Sequence, residues 1–289
     1  MPDMNKITRP MKGATLGDND KIPYPVLATP KIDGIRFLIV NGKAVTAQFK
    51  PIPNKKLRAF LEKNCQEGLD GELKILGKFY KTSSIVMSHE HPDWGQVKII
   101  VFDYAPDITK MYKDRMEDLI RLENRYIIKL KPKVIYNDKE LEKFEKACLD
   151  DGHEGVMLRV PYGPYKCGRS TIKQFYLVKL IKNITSEAKI IGFKQLFSNV
   201  NKQELNAFGM SKRSHKKEGK IPKPMVGSFK VIDGKKRIFF VGGLTNVMKK
   251  DAWENPKKYM NKIITYMCKP YGEKDLPRQA RFKSFRKGF

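Results

Sequence analysis

Lys31-Ile32-Asp33-Gly34-Ile35-Arg36 follows Thr29-Pro30 and runs into an apolar segment, Phe37-Leu38-Ile39-Val40. The stretch offers one amine, Lys31, with a cation five residues on at Arg36. A protonated lysine has no lone pair to attack with; nearby cations and partial burial favour the neutral, nucleophilic form. Such an amine can attack the α-phosphate of a nucleotide and hold the nucleotide as a phosphoramidate. Gly34 permits a tight backbone turn beside a phosphate. Taken alone, so short a pattern more often means a solvated lysine before an edge strand, because the chain carries 58 Lys and Arg. The order of the motifs downstream of it changes that reading.

The chain has 289 residues, enough for one large or two modest domains, and 40% hydrophobic residues, enough for a core. Its 58 basic and 31 acidic residues leave a net charge of +27, which favours a polyanionic partner, with nucleic acid first. Cys65, Cys148, Cys167 and Cys268 show no metal-like pairing and read as reduced intracellular thiols. There is no signal peptide and no apolar run of membrane-spanning length, so the expectation is an intracellular protein with no membrane partner.

Further along, Asn54 is placed to cap a helix over Lys55 to Asn64, with Leu57, Phe60 and Leu61 on its apolar face. Leu69-Asp70-Gly71-Glu72-Leu73 reads as a turn inside an apolar strand that points Glu72 outward, to meet a ribose hydroxyl or a metal, or to be an ordinary hairpin acid. Val97 to Tyr104 reads as a strand; Phe102 on it can stack on a purine, although a strand aromatic is more often core. His89-Glu90-His91 lacks further metal ligands and reads as a surface loop. Helices are predicted over about Asp114 to Leu130 and, after the cap Asn137, about Asp138 to Leu149. Glu154-Gly155-Val156-Met157 begins a strand with a carboxylate. Lys179 sits inside the apolar strand Leu177 to Lys182, where an unpaired charge is costly and an anionic partner is expected.

Residues 183 to 188 read as a linker. Short strands follow, at Lys189 to Phe193, Gly227 to Val231, Ile238 to Val241 and Lys262 to Tyr266, as suits a small barrel of the oligonucleotide-binding type. Between the first two lies a basic insertion, Phe197 to Val226, too long for a hairpin turn and suited to a flexible arm on phosphates.

In this order, Lys31-x-Asp33-Gly34-x-Arg36, Asp70-Gly71-Glu72, Phe102-Asp103, Glu154-Gly155 and Lys179 resemble the motifs of the covalent nucleotidyltransferases: DNA ligases, RNA ligases and RNA capping enzymes. Phe49-Lys50-Pro51-Ile52, Tyr165-Lys166-x-Gly168-Arg169-Ser170-Thr171 and Ser211-Lys212-Arg213-Ser214 bring the chain nearer to minimal viral ATP-dependent DNA ligases, from about Pro25 to Arg286. The resemblance implies an α+β architecture: an ATP-grasp-like nucleotidyltransferase domain over 1–185, then an OB-fold β-barrel over 186–289 with a latch at about 197–226. It implies a monomer that encircles nicked duplex DNA and seals it with ATP and Mg²⁺ (or Mn²⁺), in a virus-infected or phage-infected cell, for replication or repair.

The resemblance also implies roles. Lys31 would carry AMP; Thr29 and Ile32 would touch the adenine edge; Phe102 and Met157 would cover its two faces. Glu72 and Arg36 would hold the ribose side, with Arg36 also near the nick end, Glu154 the metal and Lys179 the α-phosphate; Lys182 is a further catalytic candidate. Lys50, Arg169, Ser170, Lys212, Arg213, Lys216, Lys217 and Arg286 would meet DNA. Three departures stand out: Ala47 where the family has an arginine for the nick 5′-phosphate, Ile181 where it has a second lysine, and no acid after Arg286. Two other readings stay open: an RNA ligase or capping-type enzyme and, given the three departures, a nick-binding protein with impaired sealing.

Overall fold

The computed structural model describes residues 6–75, 79–181, 184–205, 211–214, 216–269 and 276–286. The chain forms two compact units, Met1–Ile181 and Lys182–Phe289.

The first unit holds two five-stranded sheets. One runs, edge to edge, Ala14–Thr15, Val178–Leu180, Val156–Arg159, Val26–Pro30 and Lys133–Ile135. The other runs Lys43–Thr46, Ile35–Val40, Leu69–Lys74, Lys98–Tyr104 and Ile127–Lys129. Each sheet has its own core. Leu57 and Leu61 from the helix Lys55–Asn64, Ile85 and Val86 from Phe79–Met87, and Tyr112, Met116 and Leu119 from Tyr112–Arg121 pack with the second sheet. Leu141 and Cys148 of Asp138–Asp150 pack with the first. Asn54 caps its helix by accepting from the Leu57 N–H at 3.0 Å, and Asn137 does the same for Glu140 at 3.0 Å.

Two expectations need correction here. The helix predicted to reach Leu130 ends at Arg121. Asn124 then accepts from the Tyr126 N–H, and Ile127 joins the sheet in parallel opposite Ile99, where a β-branched side chain fits better than in a helix. The helix Phe79–Met87 carries no apolar periodicity that sets it apart. In addition, Leu69–Lys74 is one continuous strand, not a turn within a strand.

The second unit is a five-stranded antiparallel sheet in the order Ile238–Val241, Lys220–Asp233, Ile184–Asn199, Ile263–Lys269, Arg278–Phe285. The two ends of that order meet at a parallel bridge. There the Gly242 N–H donates to Ala280 O at 3.0 Å and the Phe282 N–H to Gly242 O at 2.8 Å. Phe229, Val231, Phe239, Val241, Ile264 and Tyr266 fill the core, with Ala252 from the helix Asn246–Glu254. The predicted linker 183–188 is instead mostly strand, since Ile184 already pairs with Cys268. The ladder also climbs into the insertion, pairing Phe197 with Pro222 and Asn199 with Lys220. A second hairpin, Gln203–Leu205 against Ser211–Arg213, comes next.

Candidate active site

The two sheets of the first unit face a cavity of about 350 Å³. Pairing places Thr29, Met157 and Lys179 in one row across the first sheet, with Thr29 opposite Met157 and Met157 opposite Lys179. Across the cavity, Arg36 pairs with Glu72 on the second sheet. Phe102 falls between the pairs Asp70–Asp103 and Gly71–Val101, so it is the extra residue of a β-bulge, a device that re-aims a side chain. All six line the cavity, as do Lys31 and Ile32.

Lys31 is fixed by its own backbone. Its N–H donates to Gly155 O at 2.8 Å, and its carbonyl accepts from the Glu154 N–H at 3.2 Å. Gly155 has φ +143°, and a Cβ there would lie 2.2 Å from Leu180 O, so only glycine fits. At Gly34 a Cβ would lie 2.4 Å from Leu73 O and 2.7 Å from Glu72 Cγ. The close approach of this bend to the strand Leu69–Lys74 demands glycine.

The charges come largely in pairs. Lys31 Nζ donates to Glu154 Oε2, and Glu154 is only 4% exposed. Arg36 meets Asp70 with two parallel bonds of 2.8 and 2.5 Å, and its Nη1 donates to Met11 O at 2.6 Å. The Tyr165 hydroxyl also donates to Asp70, at 2.7 Å. Burial alone would make the Arg36 charge harder to keep, but Asp70 outweighs it and holds the guanidinium above its ordinary range. Arg36 Cζ lies 5.6 Å from the Phe102 ring centroid, so the guanidinium and the ring share one wall. Burial pushes the Glu72 carboxyl up to about 8, against the opposing pull of Lys31 and Arg36.

Behind Phe102, Asp103 accepts from Arg115 at 2.8 and 3.2 Å and from Arg159 Nη1. Burial would raise this carboxyl, but Arg115 and Arg159 pull it down to about 2. Arg159 lines the cavity although no local motif marks it; its pairing with Asp103 joins residues 56 apart in the chain. Lys12 and Gly13 also line the cavity, from a segment that no sequence motif marks.

The residues expected at DNA scatter. Arg169 lines the cavity, donating to Gly13 O at 3.1 Å. Ser170 is 1% exposed, and its hydroxyl accepts from the Leu177 N–H at 3.2 Å, which ties the loop to the strand after it. Lys50 is exposed and outside the cavity lining. Lys216 and Lys217 are exposed on the insertion. Arg213 spans it, donating to Asn199 O, Asn201 O and Gln203 Oε1. Arg286 pairs with Glu187 at 3.0 Å. Lys182 and the Lys212 side chain lie outside the described residues.

Comparison with known proteins settles the family. The chain is 33% identical to the solved Chlorella virus DNA ligase–adenylate, over 98% of this chain and 99% of that one, with a TM-score of 0.56. The chain belongs to the ATP-dependent DNA ligases. These enzymes join DNA by forming phosphodiester bonds. A Lig E DNA ligase shares the fold, at a TM-score of 0.74 with 22% identity over 96% of this ligase and 99% of that chain. No protein-family model matches the ligase sequence, and no curated protein matches it.

Proposed function

We propose that this ligase seals nicks bearing a 3′-hydroxyl and a 5′-phosphate in duplex DNA, through AMP carried on Lys31. The observation that carries this reading is the single cavity that gathers Lys31, Glu72, Phe102, Met157 and Lys179 around an amine in contact with a carboxylate. In the first step Lys31 Nζ, after giving up a proton, attacks the α-phosphorus of ATP. The N–P bond forms as the bond to pyrophosphate breaks. An oxygen of the nick 5′-phosphate then takes the AMP and returns the amine. Finally the 3′-hydroxyl attacks the 5′-phosphorus and AMP leaves. Phe102 and Met157 cover the adenine faces, Thr29 and Ile32 its edge, Glu72 the ribose, and Lys179 the α-phosphate.

Among the described residues no three His, Cys, Asp or Glu side chains gather as a metal cage. One carboxylate, Glu154, with substrate oxygens and water, suits Mg²⁺, which keeps waters and binds phosphates. When bound, such an ion neutralises phosphate charge. We read the unit ending at Ile181 as the nucleotidyltransferase domain, four residues short of the expected boundary because Ile184 already pairs with Cys268, and the rest as an oligonucleotide-binding barrel, with the protein acting as a monomer. The strand order, the bridge at Gly242 and the helix between Ile238–Val241 and Ile263–Lys269 support the barrel. The basic insertion acts as the DNA latch.

The test is sealing of a 5′-labelled nick with ATP and Mg²⁺ by wild type and Lys31→Ala. Wild type should yield joined product and Lys31→Ala none. Joining by the variant would mean another nucleophile. No joining by wild type would leave a nick-binding protein.

A further inference from the structure

The cavity carries more positive charge than its carboxylates balance. Six cations line it: Lys12, Lys31, Arg36, Arg159, Arg169 and Lys179. Glu154 faces Lys31, Asp70 faces Arg36 and Asp103 faces Arg159. Among the described residues, neither Lys12 nor Arg169 has a carboxylate partner, and both residues are exposed. The two are not neighbours by accident of flexible side chains. The Lys12 N–H donates to Gly168 O at 2.7 Å, and Lys12 O accepts from the Ser170 N–H at 2.8 Å. This parallel bridge sets the two residues side by side. Arg169 Nη1 donates to Gly13 O at 3.1 Å, tying the guanidinium to the segment that carries Lys12. Just before it, Met11 O accepts from Arg36 Nη1, so this wall also abuts the cation paired with Asp70.

We infer that Lys12, with Arg169, is a phosphate-binding residue of this ligase's substrate cavity. Resting on the reading that the cavity takes a nucleotide and a DNA end, the inference assigns a role to a segment that no sequence motif marks. Two exposed cations on a fixed backbone, without a protein anion, bind a phosphate group with charge-assisted bonds. Two sources offer that chemistry: the polyphosphate of ATP and a phosphate at the DNA nick. The Lys12 backbone holds the loop, so truncating the side chain leaves those bonds in place.

The experiment compares equilibrium binding in a Lys31→Ala background, where ATP is not consumed. Lys12, Lys12→Ala and Lys12→Arg proteins are titrated with ATP and with adenosine. They are also titrated with a 5′-phosphorylated nick and the same nick ending in a 5′-hydroxyl. Lys12→Ala should lose on the order of tenfold affinity for one phosphorylated ligand, the effect of one charge-assisted contact, with its unphosphorylated counterpart unchanged. Lys12→Arg should retain the affinity. A change in the ATP pair names the nucleotide as source; a change in the nick pair names the DNA. If the phosphorylated-to-unphosphorylated ratio is the same for Lys12 and Lys12→Ala in both pairs, the inference is overturned. Binding needs no chemistry, so this result stands or falls separately from the role of Lys31.

Discussion

The cavity of the first unit and the insertion of the second hold cations in opposite ways. In the cavity, Arg36, Arg159 and Lys31 each meet a buried carboxylate, and Asp103 and Asp70 have no exposed surface. In the insertion, Arg213, Lys216 and Lys217 are exposed, and among the described residues Arg213 donates to neutral oxygens. Buried pairs fix geometry before a substrate arrives, because breaking one strands a charge in a poorly solvated place. Exposed cations fix little; they act by number, neutralising phosphates and releasing counterions. The difference separates residues whose position matters from residues whose charge matters.

The largest effect should come from breaking the buried side. Asp103→Ala leaves Arg115 and Arg159 without their shared carboxylate and should destabilise the first unit by on the order of 3–5 kcal/mol, read as a fall in the urea midpoint. The sign with pH comes from the carboxyl being held down at about 2. The Asp103 contribution is full above the unfolded value near 3.9 and is lost as pH falls through about 2. A midpoint that ignores the substitution would mean that the pairs do not hold this wall.

Adding a fixed cation sharpens the contrast. Ala47 is half-buried beside the exposed Lys50. Ala47→Arg should speed single-turnover sealing by pre-adenylated ligase by on the order of tenfold, if one bond to the nick phosphate gives about 1.4 kcal/mol. Equal rates would point to another cation in that place, with Lys12 the candidate the structure adds.

The exposed side is broken by removing residues 200–219 and joining Asn199 to Lys220, which already face each other across the ladder. Nick binding should weaken, and the slope of log affinity against log salt should flatten by about 0.9 for each phosphate that the shortened protein no longer neutralises. Transfer of AMP to the protein should change far less. An unchanged slope would make the insertion a solvated hairpin.

A purely pH-dependent effect concerns Glu72. Its folded carboxyl sits near 8, above the unfolded value of about 4.3. The folded protein therefore holds the extra proton between those values, and stability should fall as pH rises through that window. Glu72→Gln should remove that slope from urea midpoints taken between pH 5 and 8 (a window set by about 4.3 and about 8). An identical slope in both proteins would mean that burial does not hold this proton.

Much of the cavity is legible in sequence because its parts are local. Lys31, Glu72, Phe102 and Lys179 each sit in a short motif within or beside an apolar strand; alternation aims Glu72 and Lys179, whereas a bulge aims Phe102 and backbone bonds to Glu154 and Gly155 hold Lys31. Pattern cannot supply pairing over distance. Arg159 gains its place from Asp103, and Lys12 from a bridge to Arg169, 157 residues away by their numbering. The same holds for the fold. The strands Ile184–Asn199 and Lys220–Asp233 continue through polar sequence because they pair with each other, which composition alone reads as linker and loop. The helix Asn246–Glu254 rests on its Thr245 cap and one buried alanine, too small an apolar face to see from pattern.

The proposed function rests on Lys31 as the amine that takes AMP. The direct measurement is to incubate the full chain with ATP and Mg²⁺ and map the adduct by peptide mass spectrometry, with pyrophosphate release followed in parallel. One AMP should appear on the peptide carrying Lys31 and be removed on adding pyrophosphate. An adduct on any other residue, or pyrophosphate release with Lys31 unmodified, would contradict that role.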